Sequence, residues 1–434
     1  TGSGGTAPYT FNYSINGGPL QQVISAANGI GTVAAPTATP GTYTYALVSV
    51  TDGSSTLCAQ NQTGNVVVIV NPLPTASIAG TTAVCQSAAQ PTVTFTGASG
   101  TAPYTFNYNI DGGTNQTVVT TTGNSITVSV PTATPGTFTY NLISVTDASS
   151  TICSQNQSGS AIITVNPLPT ASIAGTINVC QNATAPLITF TGATGTAPYT
   201  FSYNINGGVA QSVTTTAGNS ATVAAPTGVA GTFVYNLISV TDASSTICTQ
   251  NQTGSATVLV YPLPTASFAP VTPVCETRVV SFTDQSVANA GNITGWSWNF
   301  GDPASGALNT STAQNPTHIF STAGTYNVAL VVTTNNGCVS VNPSIPVVVH
   351  ARPKAGFINP EVCLNDTYGQ FNDTSSVAAP STITGWNWNF GDPASGVNNT
   401  SILQNPQHSY LAVGSYPITL IVTSSQGCKD TVNQ

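Results

Sequence analysis

TGSGGTAPYTFNYSI (residues 1–15) carries two patterns at once. From Thr10 onward, Phe11, Tyr13 and Ile15 fall on one face of an extended chain and Asn12 and Ser14 on the other. Period-two alternation of aromatic and β-branched residues marks a half-buried strand. TYNVALVV (residues 325–332) repeats it, with Tyr326, Val328, Leu330 and Val332 on one face. Nearly the same words also return, as TGASGTAPYTFNY from Thr96 and TGATGTAPYTFSY from Thr191.

A recurring phrase points to repeat architecture. SVTD begins at Ser49, Ser144 and Ser239, and PLPTAS at Pro72, Pro167 and Pro262, each at an offset of 95 residues. A related pair follows at an offset of 90: GWSWNFGDPASG from Gly295 and GWNWNFGDPASG from Gly385. The spacing predicts five units: 1–71, 72–166, 167–261, 262–349 and 350–434. Thr1 matches Thr96, so the first unit is expected to lack its opening strands. GCKDTVNQ ends where the preceding unit runs on through VNPSIPVVV, so the last is expected to stop inside its closing strand. Both ends look cut, as in a window on a longer array.

Charged residues are 4% of the chain, with four Lys and Arg, a net charge of −8 and no Lys, Arg or His before Arg278. Nucleic-acid binding requires basic residues to neutralise phosphates, so that class is excluded. Apolar runs such as VVVIV (residues 66–70) are strand-sized and far short of the ~20 residues of a membrane helix. Disorder is excluded as well, because 40% of the residues are hydrophobic and they alternate. Turn signals are dense, among them NGG at Asn16, DGG at Asp111 and TPGT at Thr39 and Thr134. Short strands with a turn about every ten residues predict an all-β chain, a tandem array of immunoglobulin-like β-sandwiches of seven or eight strands. Prolines in NPLP, YPLP and HARP predict short, stiff connectors.

Residues 262–434 resemble PKD domains, an immunoglobulin-like sandwich family with a WxFGD strand and a later NPxHxY…GTYxVxLxV phrase. Trp298, Phe300, Gly301, Asp302 and His318 carry the first match, and Trp388, Phe390, Gly391, Asp392 and His408 the second. Pro303 and Pro393 replace the glycine that usually follows FGD, which implies a different local turn. Residues 1–261 are similar to the Thr-rich, Cys-containing repeats of giant secreted surface proteins of Bacteroidota, the SprB-like adhesins of gliding species. The array then reads as three Thr-rich immunoglobulin-like repeats followed by two PKD-like domains. The resemblance implies stalks or adhesive shafts outside the cell.

Nine cysteines without metal-type CxxC spacing suggest disulfides and an oxidising exterior. Cys85, Cys180, Cys275 and Cys363 follow a first strand; Cys58, Cys153, Cys248, Cys338 and Cys428 lie near a last hairpin. In immunoglobulin-like topology these positions sit at opposite ends of one sandwich, ~25 Å apart along the strand, whereas a bridge needs Cα atoms roughly 4.4–6.8 Å apart. In a straight array the two ends of neighbouring units abut. That predicts cross-unit bridges Cys85–Cys248, Cys180–Cys338 and Cys275–Cys428, with the partners of Cys58, Cys153 and Cys363 outside the window. Within-unit pairs of the type Cys85–Cys153 remain open, and pairing across the linker, as Cys58–Cys85, ranks last.

Other side chains admit a chemical and a structural reading. His318 and His408 have no third ligand at fixed spacing and are expected to be structural hydrogen-bonding groups. Trp296, Trp298, Trp386 and Trp388 could form a sugar-stacking platform, yet alternation puts at least one of each pair in the core. Asp284, Asp302, Asp373 and Asp392 could hold calcium, but no acidic loop is dense enough, and turn-capping is expected. No metal or cofactor is called for. Sequons at Asn12, Asn61, Asn115, Asn156, Asn182 and Asn251 are expected by chance in so Asn- and Thr-rich a chain, and Asp430-Thr431-Val432 is a weak O-glycosylation match. No catalytic motif appears. The reading is a non-catalytic extracellular shaft whose partners are neighbouring repeats, laterally associated copies and a surface polysaccharide. The alternatives are a carbohydrate- or cell-surface-binding array and the spacer of a secreted hydrolase.

Overall fold

The computed structural model describes residues 1–270, 272–340, 344–363 and 366–434. Part of the stretch VNPSIPVVV therefore lies outside the described residues.

Alternation sorts the strands of residues 72–166 into two facing sheets. One holds Ser125–Ser129, Thr92–Ala98 and Thr75–Ala79. The other runs Gln116–Val119, Thr105–Ile110, Gly136–Thr146, Ser160–Asn166 and Thr82–Cys85, with Ser154–Asn156 also paired to Gly136–Thr146. All pairs are antiparallel except the last-placed strand, which runs parallel to Ser160–Asn166 with Cys85 opposite Asn166. Between the sheets Val93, Phe95, Phe106, Val145 and Ile163 are fully buried, each side chain contributing roughly 1.5–3 kcal/mol by leaving water. Phe95 meets Tyr108 at 4.9 Å and Phe106 at 5.7 Å between ring centroids. Residues 167–261 repeat this arrangement strand for strand, with Phe190, Tyr203 and Phe201 in the same places.

The opening strand is split. Thr75–Ala79 pairs with Thr92–Ala98 in the small sheet, and the chain then crosses to place Thr82–Cys85 in the large one. Gly80 makes the crossing at φ +122°, where a Cβ would stand 2.5 Å from the Thr92 carbonyl oxygen, so the site requires glycine. The cysteine thus ends a second strand and not the first. With the three-residue strand Ser154–Asn156 the unit has nine strands, more than seven or eight, because so short a segment carries no readable alternation.

Residues 1–71 form one sheet, in the order Gln21–Ile24, Thr10–Ile15, Gly41–Thr51, Ala59–Asn61, with Asn65–Val70 also paired to Gly41–Thr51. Val66 is 65% exposed there, where its counterpart Ala161 is fully buried.

Residues 262–434 fill their cores differently. Trp298, Phe282, Phe268 and Phe300 form one aromatic cluster, and Trp388, Phe371, Phe357 and Phe390 the other. The proline that replaces glycine after FGD begins a short 3-10 helix, Pro303–Asn309 and Pro393–Asn399, where its fixed φ suits the first turn.

All four tryptophans lie in residues 262–434, so tryptophan fluorescence reads these two cores alone. Phe282→Ala empties a site touching Phe268, Trp298 and Phe300 and should destabilise its core by about 3–5 kcal/mol. Denaturation followed by fluorescence should then split into an early step and an unchanged one; a single unshifted transition would contradict this packing.

Candidate functional site at the unit junctions

The cysteines meet where one sandwich ends and the next begins. Cys85 pairs with Cys248, Cys180 with Cys338 and Cys275 with Cys428, with Cα separations of 5.7, 5.5 and 5.9 Å. Each pair joins a cysteine paired in parallel with the end of its own unit, Cys85 and Cys180 at the end of a split opening strand and Cys275 in an isolated bridge to His350, to the hairpin loop of the following unit. Cys58, Cys153 and Cys363 are free thiols.

The backbone brings one half of each bridge into place. Cys85 lies opposite Asn166, the last residue of its unit's closing strand, and Cys180 lies opposite Tyr261 in the same way. From there Asn166 Nδ2 donates to Ser245 Oγ (3.1 Å) and Thr246 Oγ1 (2.9 Å) in the next unit's hairpin loop, two residues before Cys248. One junction earlier, Asn71 Nδ2 donates to Ser150 Oγ (3.3 Å) and Thr151 Oγ1 (3.0 Å), two residues before Cys153. The same asparagine clamp therefore stands at a bridged junction and beside a free thiol.

At Cys338 and Cys428 the other half is held by Thr334 Oγ1 (3.2 Å) and Ser424 Oγ (3.1 Å), which accept the cysteine N–H; at Cys248 it is held by the aspartate of SVTD, so far only a register mark. Asp242 accepts from Ser244 Oγ (2.7 Å), the Cys248 N–H (2.9 Å) and the Thr196 N–H (3.0 Å). Asp147 repeats these contacts with Ser149, Cys153 and Thr101, and Asp52 with Ser54, Cys58 and Thr6. Burial pushes the Asp147 carboxyl up, but the donors of Ser149, Thr101 and Cys153 outweigh it and hold it below its ordinary value of 3.8. The invariant spacing of Asp, Ser and Cys over seven residues was the available signal: one acceptor serving a closed loop that ends in the cysteine.

At the junction of residues 262–349 with 350–434, charge replaces the asparagine clamp. The Arg352 guanidinium pairs with Asp430, two residues past Cys428, and its Nε donates to the Lys429 carbonyl. The Arg352 N–H donates to Glu276 Oε1 (3.0 Å), next to Cys275. Three of the chain's few charged groups, Glu276, Arg352 and Asp430, thus meet at one bridge.

The PKD motif residues sit in the cores. Trp298 and Trp388 are buried, each donating Nε1 to a backbone carbonyl at 2.9 Å, of Ala313 and Leu403. Half-buried Trp296 and Trp386 donate instead to Asp284 Oδ2 (2.8 Å) and Asp373 Oδ2 (2.7 Å). Asp284 and Asp373 also cap turns, accepting from the Ser286 and Ser375 N–H groups. Asp302 and Asp392 do not cap with their side chains, contrary to expectation. Their carboxylates contact His318 Nε2 (3.1 Å) and His408 Nε2 (3.2 Å), and these imidazoles stack on Phe300 and Phe390. A buried carboxylate needs such a partner more than a solvated turn does. Gly301 and Gly391 follow that strand at φ +68° and +71°, where a Cβ would strike backbone oxygens of Asn327 and Pro417. Among the described residues no three His, Cys, Asp or Glu side chains gather as metal ligands, and no helix is long and apolar enough to cross a membrane.

Asp242→Ala strips four donors, the Ser244 N–H (3.3 Å) being the fourth, of their acceptor beside Cys248 and should cost on the order of 3 kcal/mol. In the same molecule, Cys85–Cys248 should then be reduced by thiol faster than Cys275–Cys428, as followed by mass spectrometry of alkylated peptides; equal rates would remove the aspartate's role. The lowered Asp147 pKa has a sign: its contribution is present above 3.8 and is lost as pH falls through the lower folded value. Asp147→Asn should flatten the part of the melting temperature profile below about pH 4, and an unchanged profile would refute it.

Residues 262–349 and 350–434 each match the PKD domain family. Among solved structures, an ice-binding, Ca2+-stabilized adhesin of an Antarctic bacterium is 17% identical, covering 80% of this chain and 92% of its own, at a TM-score of 0.38. Invasin, a bacterial integrin-binding protein, is 13% identical over 83% of this chain and 78% of its own, at 0.31. A tetra-tandem repeat from the extending region of a large adhesion protein is 14% identical over 79% and 92%, at 0.27. The chain is a tandem array of immunoglobulin-like β-sandwiches, and its last two stretches match the PKD domain.

Proposed function

We propose that this chain is a non-catalytic shaft of an extracellular surface adhesin, built from five units bounded near residues 71, 166, 261 and 349. The observation that carries the reading is one bridge geometry repeated at three successive junctions, each tying the end of one sandwich to the hairpin of the next. A flexible display array has no use for such ties, whereas a shaft that must keep its units aligned does. Disulfides of this kind form and persist in oxidising surroundings, which supports the extracellular reading. Absence of methionine removes an oxidation target. A surface with so few charges is insensitive to salt, and it also lets copies associate laterally.

The SprB-like Bacteroidota assignment belongs to the same reading, with neighbouring repeats as constant partners and a surface polysaccharide as the candidate substratum. Cys58, Cys153 and Cys363 would take partners outside these 434 residues. Carbohydrate recognition by the tryptophans has less support, because Trp298 and Trp388 are buried and Trp296 and Trp386 turn their indole N–H groups to aspartates.

Five units at ~40 Å each, from strand length plus linker, give a rod of ~200 Å. Small-angle scattering of the oxidised chain should return a maximum dimension near that length, shortening or broadening on reduction. Non-reducing peptide mapping with a protease that ignores Lys and Arg should recover the three cross-unit bridges. A compact particle, or peptides joining Cys85 to Cys153, would sink the shaft reading. Selective capture on a glycan array would favour the binding-module alternative instead.

A further inference from the structure

A chain under tension transmits force along its shortest covalent path, and cross-links move that path away from the backbone. We propose that the bridges of this chain form an extension limiter, in which two of the three carry the pull past most of the polypeptide. The inference deepens the shaft reading and rests on its three bridges.

Pulled from its two ends, the chain is continuous from Thr1 to Cys85 and then crosses to Cys248, a jump of 163 in sequence. It continues to Cys275 and crosses to Cys428, a jump of 153, leaving only residues 428–434. The stretches 1–85, 248–275 and 428–434 hold about 120 of the 434 residues. Residues 86–247 and 276–427 hang in closed loops whose ends stay 5.7 and 5.9 Å apart at Cα, and the covalent pull bypasses them.

The third bridge plays a different part. Cys180–Cys338 joins one closed loop to the other, in parallel with residues 248–275. Its own route between Cys248 and Cys275 is more than four times longer, so it stays slack while the other two hold. If Cys85–Cys248 opens, the shortest path runs through Cys180–Cys338 and back to Cys275, and grows to about 251 residues rather than to the whole chain. The arrangement is a limiter with a reserve.

The path also says where the molecule yields. Residues 1–71, with one sheet and an exposed Val66, lie wholly on it. So do the strand Ser255–Tyr261, which pairs on both sides with strands inside a loop, and the split opening strand up to Cys85. The buried core around Phe106 is built wholly from shielded residues, whereas the cores around Phe201 and Trp298 each lend members to the path, Ala256, Val258 and Val260 in one and Phe268 in the other. The Phe106 core should survive a pull that extends the rest.

Single-molecule force spectroscopy with handles at Thr1 and Gln434 of the full chain tests this through the contour length at full extension. That length depends only on which bridges have formed, and non-reducing peptide mapping of each variant reads those separately. At roughly 3.5 Å per residue the oxidised chain should stop at about 42 nm and the fully reduced chain at about 150 nm. Cys180→Ser/Cys338→Ser should leave the oxidised limit at about 42 nm, whereas Cys85→Ser/Cys248→Ser should raise it to about 88 nm. Within-unit pairing would instead stop the oxidised chain near 61 nm. That value, an oxidised chain reaching 150 nm, or variants that respond in the opposite order would overturn the limiter. Scattering reports the rod independently, so a bent or compact particle with a 42 nm limit would sink the shaft and keep the limiter.

Discussion

The arrangement depends on one distance. A cysteine at the tail of one sandwich must come within about 6 Å, Cα to Cα, of a hairpin at the head of the next, and do so at three junctions. Two independent supports make that possible. Parallel pairing with the end of its own unit's closing segment fixes the first cysteine, as Cys85 with Asn166, Cys180 with Tyr261 and Cys275 with His350, and a side-chain oxygen that accepts the second cysteine's N–H closes its loop, from Asp242 at Cys248, Thr334 at Cys338 and Ser424 at Cys428. Neither half involves the linker prolines directly. The prolines limit where the second unit can lie, but hydrogen bonds on either side of the junction decide the register.

This division explains why cross-unit pairing is compatible with independent cores. The buried clusters around Phe95, Phe190, Trp298 and Trp388 are separate, and each is completed by residues of its own repeat. The bridges therefore add little packing. Their contribution lies in the unfolded chain, where closing loops of 153 to 163 residues removes entropy worth about 5 kcal/mol each in the chain-entropy account. The loops overlap, since Cys180 lies inside the loop closed by Cys85–Cys248 and Cys275 inside the one closed by Cys180–Cys338.

Much of the fold was legible because alternation and repetition are local signals. TFNYSI and TYNVALVV declare strands with a buried face, and the offsets of 95 and 90 divide the chain. What escaped were features that depend on a single residue or on contacts far apart in sequence. Gly80 breaks the opening strand through its φ, which no alternation reveals. The roles of Asp302 and Asp392 were misread because turn-capping is a local habit of aspartate, whereas their partners, His318 and His408, lie sixteen residues on and meet them only through the fold. Asp242 and Asp147 were plain in the repeated phrase, yet their function is visible only when the Cys248 and Cys153 N–H groups are seen to point at them.

The charge distribution follows from the same constraint. A chain of hydroxyl and amide surfaces can hold junctions with neutral clamps, as Asn71 and Asn166 do with paired Ser and Thr hydroxyls. Between the two PKD-type stretches the sandwich ends differ, the clamp asparagine is gone, and Arg352 takes its place by reaching both a carboxylate and a carbonyl of the following hairpin. Arginine suits this because its planar fork holds two acceptors at once. One ion pair, partly shielded beside a disulfide, is therefore tolerated where hundreds of other residues are kept neutral: it adds to the Arg352 N–H bond to Glu276, and the bridge beside it keeps its partners close.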